Sequence, residues 1–147
     1  ERFKMSYEFG EWDNEIFALD KVMEESYRIL KPGGIVVIST PNILSLKSRV
    51  RYLFSGFFYS FQPLVHAQTD GLQHISSLTI DQYKNLGFIN KFSEIEVKVD
   101  RKQTTSKILS FLIPFMWIYC KIKKIDYSVH NQWDYMTGRV LFMIFRK

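Results

Sequence analysis

The stretch from Ile16 to Asn42 constrains the fold of this chain more than any other. Its first part repeats apolar residues at helical spacing, with charged residues on the other faces. The turn Lys31-Pro32-Gly33-Gly34 must end this helix, because proline cannot continue it and glycine permits a positive φ. Four consecutive β-branched residues, Ile35 to Ile38, are typical of a strand covered on both faces in a parallel sheet. The stretch therefore predicts one helix-to-strand step of a layered α/β fold.

The rest of the chain shows further element patterns. Apolar side chains recur at helical spacing from Leu46 onward, and Gly56 closes that helix. Thr79 with Gln82 forms a capping box and Gly87 follows as a C-cap, which predicts a helix of about seven residues. Two strands are then predicted, an alternating one within residues 92–100 and a continuously apolar one within residues 140–145.

The run from Tyr27 to Asn42, Tyr-Arg-Ile-Leu-Lys-Pro-Gly-Gly-Ile-Val-Val-Ile-Ser-Thr-Pro-Asn, resembles the helix, turn and fifth strand of class I S-adenosylmethionine-dependent methyltransferases. The resemblance is to methyltransferases of the type 11/12 kind, and it continues through residues 44–49, His74-Ile75, Leu78-Thr79 and Gly87-Phe88. It implies an α/β fold in which the strands are the fifth, sixth and seventh of a Rossmann-like sheet. The last two strands would pair antiparallel, with flanking helices and a helical insertion between them.

Two parts of such enzymes are not in this sequence, the glycine-rich cofactor loop and the carboxylate that binds the ribose. No G-x-G motif precedes Ile16, and a βαβ unit does not fit into fifteen residues. We therefore interpret residues 1–147 as the carboxy-terminal half of a methyltransferase domain, with an apolar helical insertion at about 101–134. The resemblance implies S-adenosylmethionine as the cofactor only if the amino-terminal half is present, and the fragment alone is expected to be inactive.

The resemblance implies cofactor-binding or catalytic roles for three residues. Glu8 and Glu11 fit a Glu-x-x-Glu spacing that the family places near the cofactor, and the alternative is a frayed polar start of the chain. His74 matches the family's histidine, which implies a catalytic base or a residue facing the substrate. The alternative for His74 is a structural role in which it holds its loop by hydrogen bonds.

A substrate pocket is expected where the first strand ends. Open α/β sheets bind ligands beyond the carboxyl ends of their strands, so Pro41, Asn42 and Arg49 are candidate pocket residues together with His74. For Asn42 the alternative is an ordinary turn residue whose side chain makes a local hydrogen bond.

Composition limits the remaining classes. With 147 residues, 46% hydrophobic and 16% aromatic, the chain suits one domain with a substantial core. The single Cys120 excludes an internal disulfide, and without a signal peptide the cytoplasm is the expected location. His66, His74 and His130 are far apart and lack partners at ligand spacing, so no metal is predicted.

The insertion combines an apolar run with positive charge. From Arg101 to Ile125 there are six basic residues and no acid, and Ile108 to Cys120 is apolar apart from Ser110 and Pro114. Thirteen helical residues span ~20 Å, which is shorter than the ~30 Å hydrocarbon core, so this run is not expected to cross a bilayer. Three alternatives remain: a lid over the substrate pocket, a docking face for a partner chain, or a peripheral membrane contact through Ile108 to Lys124.

Two functions are therefore expected. The first is a methyltransferase part acting on a small-molecule acceptor; the basic, aromatic and apolar composition would suit a lipid-like or lipid-linked anion, and it would equally suit a hydrophobic core. The alternative is a non-catalytic interaction or membrane-associated module that retains half of the fold. No nucleic acid partner is expected, because the aromatic residues are not interleaved with Lys and Arg. An unpaired edge at Ile35 to Ile38 predicts self-association.

Overall fold

The computed structural model describes residues 12–61 and 78–147. The strands are β1 (Ile35–Pro41), β2 (Glu94–Val99) and β3 (Val140–Arg146). The helices are α1 (Trp12–Ile29), α2 (Leu46–Ser55), α3 (Ile80–Ile89), α4 (Thr104–Ile108), α5 (Ile113–Lys123) and α6 (Trp133–Thr137), and a 3-10 turn, Leu109–Leu112, joins α4 to α5. The mixed α/β class is confirmed, and so are the three predicted strands, the flanking helices and the helical insertion.

The three strands form one sheet in the order β1-β3-β2. Strand β3 runs antiparallel to both neighbours, as the backbone bonds from Asn42 N to Arg139 O and from Asp100 N to Val140 O show. Because β1 and β2 run in the same direction, their carboxyl ends lie at one edge of the sheet, beside the start of β3.

Strand β1 is less covered than its sequence predicts. Ile35 and Val37 are 50% and 51% exposed, and they alternate with half-buried Val36 and Ile38. The prediction of burial on both faces is wrong, because within residues 12–61 and 78–147 only one face of β1 is packed and only β3 pairs with it.

The chain divides into two compact units, of which the first comprises residues 12–36, 78–95 and 145–147 of the described part. Its core contains the fully buried Met23 and Phe145, and the ring of Phe92 lies 5.5 Å from that of Phe145. Lys147 Nζ donates to the carbonyls of Tyr27 (2.6 Å) and Leu30 (2.7 Å) at the end of α1. These bonds satisfy carbonyls that the helix leaves unpaired and place a cation at the negative end of its dipole.

Helix α3, in the first unit, is longer than predicted. The Thr79–Gln82 capping box is confirmed, but the helix has ten residues and ends at Ile89, with Asn90 as the C-cap. Gly87 is therefore not a C-cap, and that prediction is wrong. It is a buried helical residue, where a Cβ atom would lie 2.6 Å from Ile95 Cδ1 and 2.8 Å from the ring of Phe145. Glycine is needed here for close packing.

The second unit comprises residues 37–61 and 96–144 of the described part. Helix α2 begins at the Ser45 cap, whose hydroxyl accepts a hydrogen bond from Ser48 N, and ends at Gly56 in the left-handed conformation, as predicted. The buried Ser106 hydroxyl on α4 accepts a hydrogen bond of 3.3 Å from Lys47 N. This bond fixes the start of the insertion to α2.

The helical insertion is longer than its apolar run. Helix α4, the 3-10 turn and α5 form a continuous helical run, Thr104–Lys123, and Pro114 lies in the first turn of α5, where its missing N–H costs little. The run has 20 residues and spans ~30 Å, so by length and composition it could cross a membrane. The added length comes from the polar turn of α4, and the expectation that the apolar run from Ile108 to Cys120 does not cross a bilayer stays a prediction.

Candidate functional site

The first candidate residue, Asn42, directly follows β1 and is 3% exposed. Its Nδ2 donates to Tyr135 O (2.6 Å) and Gly138 O (2.9 Å), and its Oδ1 accepts a hydrogen bond of 2.9 Å from Leu44 N. These three bonds engage both ends of the side-chain amide within the protein. Asn42 thus ties the end of β1 to the segment that leads into β3.

Arg49 on α2 is also engaged within the second unit. Its Nη1 donates to Asn131 Oδ1, and its Nη2 donates to His130 O at 2.9 Å. Burial lowers the pKa of the Arg49 guanidinium from its usual value, and the charge of Tyr127 partly opposes this effect. Arg49 therefore holds the loop before α6.

The other candidate positions stay predictions. Pro41 ends β1 and is half-buried. Glu8, Glu11 and His74 lie outside the described residues, so their cofactor-binding and catalytic roles are untested.

The structure instead places a cavity of about 450 Å³ in the second unit, at the edge where β1 and β2 end. Its wall includes the start of α2, the segment between β2 and α4, and the residue before β3. The lining residues are Lys47, Tyr59, Arg101, Lys102, Gln103, Thr104, Thr105 and Arg139. We call this the basic cavity, because four of its residues are cations and none is an acid. Pro41, Asn42 and Arg49 are not among its lining residues.

Two of the lining residues interact closely. Lys47 Nζ lies 3.5 Å from the centre of the Tyr59 ring. A hydrogen bond from Lys47 and its positive charge lower the pKa of the Tyr59 phenol, and Arg139 and Arg51 add to the effect. The phenolate of Tyr59 is therefore favoured by its surroundings.

Two carboxylates lie near the basic cavity, and both already have partners. Asp134 pairs with Lys102 at 3.0 Å. Asp100 Oδ1 accepts hydrogen bonds from the backbone N–H groups of Arg139 (2.9 Å) and Val140 (2.8 Å), so it shapes the start of β3. The cavity keeps a positive lining.

Sequence reasoning did not predict this cavity. Neither Lys47 nor Arg139 was among the predicted site residues. The useful signal was the acid-free segment that begins at Arg101 and Lys102, which directly follows a strand at the edge where ligands bind. No sequence pattern predicts Tyr59 as a site residue, because its role in the cavity depends on a contact with Lys47 that only the fold creates.

The described residues contain no candidate metal cluster, and the basic cavity does not suit S-adenosylmethionine. Within residues 12–61 and 78–147, no three His, Cys, Asp or Glu side chains form a candidate metal site. S-adenosylmethionine carries a positive sulfonium and ribose hydroxyls that a carboxylate would bind, whereas the basic cavity offers four cations and no carboxylate. The basic cavity is therefore not the expected cofactor site.

Comparisons with known proteins include a structural neighbour whose function is stated. No family model matches the chain, and no curated protein matches it. A SAM-dependent methyltransferase from Archaeoglobus fulgidus is similar in structure, with a TM-score of 0.49 and 12% sequence identity. The match covers 89% of this chain and 52% of the neighbour, so the chain spans about half the length of that protein.

Proposed function

We propose that this chain is the acceptor-binding part of an S-adenosylmethionine-dependent methyltransferase. The observation that carries the proposal is the basic cavity, which lies beyond the carboxyl ends of β1 and β2, where α/β sheets bind ligands. The motif from Tyr27 to Asn42 supports it, because its helix, turn and strand occur in the order that the resemblance implies. In this proposal the cofactor is held by residues other than the lining of the cavity.

The chemistry expected of the chain is acceptor positioning. The cofactor supplies an already activated methyl group, so the acceptor side needs mainly to orient a nucleophile. Tyr59 is the group at the cavity that we propose to accept a proton from an acceptor hydroxyl, since Lys47 lowers its pKa. The positive lining favours an anionic acceptor, which includes the lipid-like or lipid-linked class expected from the sequence.

The test compares the 147-residue chain with the product of its complete reading frame. We expect the complete product to contain a glycine-rich βαβ unit, to bind S-adenosylmethionine in isothermal titration and to transfer methyl groups. The 147-residue chain should show no heat with S-adenosylmethionine at micromolar protein and negligible transfer. A complete product without cofactor binding would contradict the proposal. A stoichiometric complex with the 147-residue chain would show that the cofactor site lies within these residues.

A second candidate function, a membrane-associated module, rests on the helical insertion. Eight large apolar side chains between residues 108 and 125 are 48–71% exposed: Ile108, Phe111, Phe115, Trp117, Ile118, Tyr119, Ile122 and Ile125. Lys121 and Lys123 lie in the last turn of α5, and Lys124 caps it. This surface combines apolar area with positive charge, which suits the interface of an anionic membrane.

A peripheral contact agrees better with the insertion than a span does. The polar start of the run is fixed in the second unit, because Ser106 is fully buried and bonded to the backbone of Lys47. The apolar part from Ile108 to Cys120 then covers only ~20 Å of the ~30 Å hydrocarbon core. We therefore propose that the insertion lies in the plane of the membrane interface.

A further inference from the structure

We propose that the basic cavity is a binding site for a phosphate group, as a phosphomonoester or a diphosphate. The claim that this phosphate compound is the methyl acceptor rests on the proposed function. Phosphate binding itself requires no cofactor.

The positive charge of the cavity is the first argument for a phosphate ligand. Of its four cations, Lys102 has Asp134 as a partner at 3.0 Å. Within the described ranges, no carboxylate forms an ion pair with Lys47, Arg101 or Arg139, and Lys47 Nζ lies 3.5 Å from the centre of the uncharged Tyr59 ring. Positive groups from three different parts of the second unit thus converge on one concave surface, and such an arrangement suits a ligand with more than one negative charge.

The uncharged lining carries the second step. Thr104 and Thr105 line the cavity, and a threonine hydroxyl donates readily to a phosphate oxygen. Gln103 Oε1 is buried and has no hydrogen-bond partner among the described residues.

The size of the cavity carries the third step. A volume of about 450 Å³ lies within the usual range for small-molecule sites and exceeds what one phosphate group requires. The ligand is therefore a phosphate attached to a further polar group, and that phosphate can come from a soluble metabolite or from a lipid headgroup. The chemistry of the site is the same in both cases.

The first experiment measures binding of inorganic pyrophosphate and glycerol 3-phosphate to the 147-residue chain by isothermal titration in a phosphate-free buffer. We expect saturable binding that weakens as salt is added, because the contacts are electrostatic. Arg101→Gln with Arg139→Gln should weaken pyrophosphate binding by about a hundredfold, since each of the two charge-assisted hydrogen bonds is worth about tenfold. Absence of saturable binding at millimolar pyrophosphate would overturn the proposal.

Two controls keep the result specific. Lys98→Gln with Lys123→Gln removes the same charge from exposed positions outside the cavity, and it should change binding less than about twofold. Gln103→Glu is nearly isosteric but adds an anion to the lining, so it should abolish pyrophosphate binding, and the thermal unfolding temperature of the variant shows how much the buried charge costs. Equal losses in the cavity and control variants would show that net charge alone attracts the anion and would refute the site.

The source of the phosphate is tested with vesicles. If the ligand is a lipid, phosphatidic acid vesicles should bind the chain more tightly than phosphatidylglycerol vesicles of equal surface charge, and Arg101→Gln with Arg139→Gln should remove that difference. If it is soluble, the difference should be absent while pyrophosphate still binds. Pyrophosphate binding by a complete product that lacks cofactor binding would refute the methyltransferase proposal alone. Methyl transfer to a neutral acceptor without pyrophosphate binding would refute this inference alone.

Discussion

Gly87 lies in the middle of α3, where alanine is the better helix former by about 1 kcal/mol. Packing reverses that preference, because an added Cβ would lie 2.8 Å from the ring of Phe145, which is fully buried. Gly87→Ala should therefore destabilise the chain, with an overpacking cost of about 1–3 kcal/mol before the gain in helix propensity.

Urea unfolding followed by circular dichroism measures this effect. Asn85→Ala is the matched control, because Asn85 is exposed on the same helix and the substitution should be neutral or slightly stabilising. A Gly87→Ala variant as stable as the Asn85→Ala variant would mean that the helix does not approach its neighbours so closely.

Tyr59 should be among the first tyrosines to ionise, because Lys47 lowers the pKa of its phenol. In absorbance at 295 nm, Lys47→Gln should move this early component to higher pH, and Tyr59→Phe should remove it. Since the folded-state pKa is below the unfolded value of ~10, the stabilisation is fully present above pH ~10 and is lost as the pH falls through the folded-state pKa.

Tyr135→Phe is the control for this titration, because burial raises the pKa of Tyr135 and its loss should leave the early component unchanged. An early component that survives Tyr59→Phe would assign the lowered pKa to another residue.

At the scale of elements, α5 exposes large apolar side chains beside lysines. Phe115 and Trp117 are 68% and 49% exposed, and Lys121 Nζ lies 4.9 Å from the centre of the Trp117 ring. An apolar surface bordered by cations predicts that this helix controls any membrane contact.

Replacing Lys121, Lys123 and Lys124 with Gln should weaken binding to anionic vesicles by about 3 kcal/mol, at about 1 kcal/mol for each charge near the surface. Replacing Phe115 and Trp117 with Ser should also weaken binding to neutral vesicles, because it removes apolar area. Vesicle sedimentation measures both effects, and Phe54→Ser on α2, at a side chain that is 83% exposed, is the apolar control. If the chain binds neither anionic nor neutral vesicles while the replacements on α5 unfold it, α5 belongs to a core or a lid.

At the scale of the whole molecule, the exposed side chains of β1 predict self-association. Ile35 and Val37 share one face of a strand that the described residues pair on a single side, and such a surface is a template for further strands or apolar partners. Light scattering should report oligomers that grow with concentration, and Val37→Lys should reduce their size.

Ser39→Lys separates the two ways of associating. Ser39 is also exposed on β1 but is not apolar, so its replacement adds charge and leaves the apolar patch. If Val37→Lys disperses the oligomers and Ser39→Lys does not, the apolar face is the contact. A wild-type chain that stays a monodisperse monomer across concentration would show that neither the apolar face nor the unpaired edge of β1 drives self-association.

The sequence by itself determined the elements whose signals are local. The Thr79–Gln82 capping box and the Gly56 C-cap are confirmed because their bonds join residues three or four positions apart, and strand periodicity is likewise a property of neighbouring residues. The α/β class follows from these local patterns taken in order along the chain.

Only the tertiary structure decided which distant residues meet. Lys47, Arg101 and Arg139 line one cavity because three separate segments end at the same edge of the sheet, and no spacing in the sequence encodes that meeting. The local sequence predicts Gly87 as the end of a helix. In the structure it packs against Phe145, which is more than fifty residues away in the chain. Packing between distant segments overrides local preference at such positions, because overlap of buried atoms costs more free energy than helix propensity can return.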